Sequence, residues 1–266
     1  MTPWVTRLLL ANVVAYFITR ALPEVGHILT LVPAYAVRTP WTLASYMFIH
    51  GGLMHLLLNM MVLFFFGPRL EARLGARDFL RLYFVSGLVA GLVSILTPFV
   101  IPAFSPYVGV VGASGAIYGL LLAFAMYWPR DRIVVFVPIP IPVQVRWMVV
   151  FMTAVALYGI AMEAMGARQG IAHHAHLGGF LGSWGYMKWR ETHSPAARFK
   201  ARAEHGTRKG WRRDRGSLER WSRIDRDTLH EVNRERYDEI VSRLESLGAD
   251  ALDDRDRAFL DRFAPP

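Results

Sequence analysis

The sequence predicts an all-α membrane protein: a bundle of six transmembrane helices followed by a small helical cytoplasmic tail. Three observations predict it. More than half of the 266 residues are hydrophobic. Charge is segregated: residues 1–190 hold 13 Lys/Arg and five acids (Glu24, Glu71, Asp78, Asp131 and Glu163), while residues 191–266 hold the other 17 and 16. The apolar residues of the first part fall into runs of about 20, the length that crosses a hydrocarbon core of about 30 Å. These runs lack the polar alternation of membrane strands.

The runs cover residues 4–22, 52–70, 79–98, 112–128, 146–165 and 171–189. The first follows Arg7 and lacks a small-x-small cleavage site, so it reads as a retained helix and not as a signal peptide. The connection to the second run is long and contains Pro33, Pro40 and Trp41, which suits a segment lying partly in the membrane interface. Orientation follows Lys/Arg placement. Arg69, Arg73, Arg77 and Arg81 follow the second run, and Arg130, Arg132 and Arg146 follow the fourth. The connection after the third has neither Lys nor Arg, and the first and fifth have only Arg38 and Arg168. Both termini are therefore expected in the cytoplasm. Arg outnumbers Lys 27 to 3, a bias of GC-rich bacterial genomes, which suggests a bacterial inner membrane.

Three regions result: a membrane domain over 1–190, a basic juxtamembrane linker over 191–224, and a short helical tail over 225–266. The linker holds ten Lys/Arg and four acids, which suits anionic lipid as well as ordinary positive-inside charge. In the tail, Leu229, Val232, Tyr237, Ile240, Val241, Leu244 and Leu247 suggest one amphipathic helix, and Ala258, Phe259, Leu260 and Phe263 a second, with Gly248 between them. The chain has no cysteine, so disulfides and thiolate chemistry are excluded. The net charge of +9 does not point to nucleic acid, because in the first part the excess lies between apolar runs.

Runs two, four and six enter from the same outer side, and each opens on an unusual polar group. The second carries His55 and Asn59, four residues apart and so on one helical face. The fourth opens with Gly112-Ala113-Ser114-Gly115, with Tyr118 one turn on; the sixth opens with His173-His174-Ala175-His176. Polar and ionisable residues inside spans are costly and face a partner or a cavity. Ser114 reads as a nucleophile and His176 as its base. The N–H groups of Ser114 and Ala113, at a helix start, and the side chains of His55 and Asn59 read as oxyanion donors. No acid is expected at this depth, so a dyad is expected, with Tyr118 stacked on His176. Gly115 with Gly119, Gly178 with Gly182, and Gly179 with Ser183 are small-xxx-small pairs that let spans four and six approach closely.

His55-x-x-x-Asn59, Gly112-Ala113-Ser114-Gly115 with Tyr118, and Ala175-His176-Leu177-Gly178-Gly179 resemble the three signatures of the rhomboid family, in the family's order. Glu71-Ala72-Arg73-Leu74-Gly75 resembles the family's segment after its second helix, and the charged tail resembles those of some bacterial members. Trp41-Thr42 departs from the Trp-Arg of many members. The resemblance covers about residues 1–190. It implies a rhomboid-like six-helix bundle and an intramembrane serine endopeptidase without metal or other cofactor. Such an enzyme cleaves single-pass transmembrane proteins near the outer face. The expected partners are those substrates and membrane lipid, with no nucleic acid; a weak homo-oligomer is allowed. His173 and His176 are three apart on a helix, but no His-Glu-x-x-His pattern is present, so no metal site is expected. A transporter would show an internal hydropathy repeat and polar groups at midplane, and neither is seen.

Overall fold

A computed structural model describes residues 1–137, 139–167, 170–193 and 217–265. The chain forms two compact units, 1–191 and 192–266.

In the first unit the helices are α1 (Pro3–Ala21), α2 (Pro23–Leu29), α3 (Thr42–Ser45), α4 (Leu53–Leu74), α5 (Ala76–Val100), α6 (Ser114–Tyr127), α7 (Val145–Ala164) and α8 (His173–His193). All six apolar runs are helical. Three of these helices, α4, α5 and α7, are long and apolar enough to cross a membrane by length and composition; α6 is apolar but has only 14 residues. Leu63, Leu70, Phe79, Leu82 and Tyr83 fill the core from α4 and α5, and Leu120 and Leu121 from α6. The outward faces stay apolar: Leu57, Met61, Phe65, Leu92, Leu96, Val150, Phe151 and Tyr158 are all exposed. An apolar belt of this extent has no place on a water-soluble monomer. This is an integral membrane protein.

Two local features set the frame. α1 begins on Pro3, a favoured first helical residue. Its start is held by buried Glu71 of α4, whose carboxylate accepts from the Trp4 and Val5 N–H groups at 3.1 and 3.0 Å. A carboxylate at a helix N-terminus meets both the free donors and the positive dipole end, which is why an acid survives burial there. α4 and α5 run longer than their apolar cores, and one residue, Gly75 at φ +80, separates them. Arg73 and Arg77, read from sequence as lying in a connection, therefore belong to helix ends.

The first connection is anchored without the Trp-Arg pair. The Trp41 indole donates to the Ile28 carbonyl at 3.0 Å, and the Thr42 hydroxyl to the Thr39 carbonyl at 2.6 Å. Leu31 pairs with Val110, joining this connection to the one before α6. Between α6 and α7 stands an antiparallel hairpin, β1 (Arg132–Val137) and β2 (Ile139–Gln144), which sequence patterning did not suggest. Pro140 and Pro142 argue against a strand, yet in a two-stranded ribbon both strands are edges and tolerate proline.

In the second unit, Trp221, Ile224, Leu229, Ile240, Leu252 and Leu260 form one apolar cluster. The two tail helices are Glu231–Leu247 and Asp254–Phe263, and Gly248 at φ +82 ends the first. Trp221 and Ile224 lie in the stretch read as linker; residues 194–216 of that stretch lie outside the described residues. Val232 and Leu247, assigned from sequence to the apolar face, are exposed. The Arg226 guanidinium makes two hydrogen bonds to Asp238 and holds its carboxyl below the usual range. Asp253 caps the second helix, and the Asp256 N–H it accepts lowers its carboxyl likewise.

Candidate active site

The turn before α6 is built on Gly112. Its φ of +119 lies where glycine alone is at ease, and a Cβ there would meet the His55 ring at 2.7 Å. Its N–H donates to the Tyr46 carbonyl at 2.9 Å. Ala113, fully buried, precedes the helix, and Ser114 is its first residue. The N–H groups of a first helical turn lack intrahelical acceptors and carry the positive end of the dipole. Ser114 thus brings a hydroxyl and a helix start to the same place.

α8 supplies the partner. His176 Nε2 lies 3.0 Å from Ser114 Oγ. Tyr118 stacks on the imidazole, ring centroids 4.0 Å apart and planes within 14°. His176 is buried, and its Nδ1 has no hydrogen-bond partner among the described residues. Packing, with no carboxylate on Nδ1, orients the ring.

Glycines explain how the two helices come so close. A Cβ on Gly179 would run into the Gly115 carbonyl, so α8 meets α6 backbone to backbone at that point. The Gly178 and Gly182 pair does something else. Cβ atoms there would meet Ala90 Cα at 2.8 Å and Val89 Cβ at 2.9 Å, so this face packs on α5 and not on α6. Gly119 sits against Ser86 of α5 as well as the Gly179 carbonyl.

A cavity of about 1120 Å³ opens beside the pair. Ser114, His176, His55, Asn59 and Tyr118 line it, with Val108–Gly112 before α6, Leu58 and Val62 of α4, and Met152 of α7. Asn59 donates one amide hydrogen to the His55 carbonyl at 3.0 Å, which leaves its second hydrogen for the cavity. Of the other histidines, His50 is buried with its ring edge-on to His55 at 5.0 Å. His174 meets Phe104 edge-on at 5.3 Å, and His173 packs over Gly159 of α7.

The sequence reading placed no acid at this depth to complete a triad; Glu163 of α7 lines the same cavity, while no described acid bonds His176 Nδ1. Gly166 and Gly170, both at positive φ, lie in the turn between α7 and α8, and both line the cavity beside Glu163. The signal was present in the sequence: Glu163 is an acid inside an apolar run, and such residues face a cavity or partner.

The Rhomboid domain family matches residues 37–190, more than half of the chain. The chain belongs to the rhomboid family. The relatives it resembles are widely spread. RHOMBOID-like protein 4 of Arabidopsis thaliana is 32% identical over 146 residues, 53% of this chain and 31% of that protein. Putative rhomboid protease YdcA of Bacillus subtilis is 42% identical over 80 residues, 30% of this chain and 37% of its own. Rhomboid-like protease 3 of Toxoplasma gondii is 34% identical over 89 residues, covering 34% and 31%. The chain thus spans about a third of the length of these rhomboid relatives.

Proposed function

We propose that this rhomboid-family chain is an intramembrane serine endopeptidase that cleaves single-pass transmembrane proteins through a Ser114–His176 dyad. The observation that carries the reading is the 3.0 Å approach of His176 Nε2 to Ser114 Oγ at the wall of a cavity. The names of relatives called proteases in Bacillus and Toxoplasma support it.

The reaction runs in two halves. His176 Nε2 takes the hydroxyl proton as Ser114 Oγ attacks the scissile carbonyl. The oxyanion receives hydrogen bonds from the Ser114 and Ala113 N–H groups and from the His55 and Asn59 side chains. Collapse breaks the C–N bond, and His176 returns its proton to the leaving amine. Water then attacks the acyl-enzyme, His176 takes the water's proton, and Ser114 departs carrying it back. Gly112, Gly115 and Gly179 support this set by the close contacts described above, and Tyr118 by stacking.

The arginine pattern supports cytoplasmic termini and cleavage toward the outer face of a bacterial inner membrane. Residues 1–190 carry the protease, and the charged remainder, whose apolar cluster takes in Trp221 and Ile224, is a cytoplasmic tail.

The test is cleavage of a fluorescent single-pass reporter by purified protein in detergent, with and without chelator. Cleavage that survives chelator and vanishes in Ser114→Ala supports the reading. Cleavage that persists in Ser114→Ala overturns the nucleophile.

A further inference from the structure

Glu163 stands apart from every other group on the cavity wall. It is the single acid there among the described residues, and neither Lys nor Arg joins it. Its Oε2 is shielded from water and has no hydrogen-bond partner among the described residues. Ser114, His55, Asn59 and His176 of the same wall are taken up by the proposed chemistry, and Glu163 is not.

A carboxylate oxygen withdrawn from water without a donor is costly, and the cost is relieved by whatever donor enters. No described group of the wall donates to Oε2, so an entering substrate can supply that donor. A neutral amide would supply a hydrogen bond; a lysine or arginine side chain supplies charge as well, which makes the stronger bond. The chain keeps Glu163 in reach of substrate by geometry, since it shares one cavity with Ser114 and His176.

We infer that Glu163 is a specificity residue that selects substrates carrying a Lys or Arg beside the scissile bond. The inference rests on the protease reading for its location, and its test is separable from that reading. Reporter substrates identical but for Lys, Gln or Glu at each position flanking the cleavage site are compared in detergent at low salt. Cleavage by the full-length wild type is measured alongside binding of the same substrates to Ser114→Ala by fluorescence anisotropy. At one position the wild type should prefer Lys over Glu by about fivefold, the size of a partly exposed ion pair. Added salt should shrink that preference. Glu163→Gln should level it and Glu163→Lys should invert it, and Ser114→Ala should bind the substrates in the wild-type order.

Cleavage without charge preference at any position sinks the assignment of Glu163 and leaves the protease standing. A preference unchanged in Glu163→Lys sinks it too. Charge-selective binding without cleavage of any reporter keeps the assignment and sinks the protease.

Discussion

The α6–α8 seam and the α7 wall enclose one cavity but are built on opposite principles. At the seam, Gly179 lies against the Gly115 carbonyl with no side chain between; Ser114 directly precedes Gly115, and His176 lies about one turn before Gly179. α7 is loosely held: its most apolar stretch is 22% buried, against 44% for α5. One of its tight contacts is Gly159 under His173. The difference teaches how a reactive pair can be held to a hydrogen-bond length inside a cavity that must still admit a polypeptide. Precision is placed where backbones touch, and access where side chains face lipid.

The strongest way to break this comparison is to pry the seam open. Gly179→Val should cost about 3 kcal/mol or more, because overpacking meets backbone that cannot yield, and it should abolish cleavage. Gly185→Val on the same helix, where a Cβ meets nothing within 4 Å, should leave both nearly unchanged. Thermal unfolding in detergent beside a cleavage assay reads both; equal behaviour of the two variants would refute the seam. Next in size, His55→Ala and Asn59→Ala should each lower kcat about a hundredfold at unchanged melting temperature, as loss of one oxyanion donor does. A loss confined to KM would remove them from the oxyanion site. On the loose side, Phe151→Ala should shift stability by no more than about 0.5 kcal/mol. A larger shift in the melting curve would mean that α7 is packed as tightly as the seam.

The smallest effect belongs to the tail. Asp238 and Asp253 have lowered pKa values, so their contribution is complete above the ordinary aspartate value of about 3.9 and is lost as pH falls through the folded values. Amide exchange of Glu231–Leu247 in the full chain should therefore stay protected at neutral pH and open only in strong acid. Opening near neutrality would point to another titrating group.

The helices were legible in the sequence because lipid demands long apolar runs, and the polar residues that meet at the cavity because polar groups in such runs are conspicuous. What stayed hidden depended on geometry that periodicity does not carry. Gly178 and Gly182 match the same spacing rule as Gly179 and Ser183, but only helix rotation decides which neighbour each meets. Glu163 lies on a different helix from His176, and nothing in their spacing says they share a cavity. The hairpin was masked by its own prolines, and the tail's cluster starts at Leu218 because Trp221, amid basic residues, reads as linker until its partner Asp261 is seen.

Helix α6 carries a further consequence. Its 14 residues rise about 21 Å, short of a hydrocarbon core of about 30 Å. Its far end is tied by Trp128, with the Arg69 guanidinium over its ring at 4.1 Å, the kind of pair that settles at an interface. The missing length therefore lies above Ser114. On the proposed mechanism each bond cut consumes a water molecule, and a serine set below the membrane surface draws it from the near compartment, whose proton activity and osmotic pressure then reach deacylation.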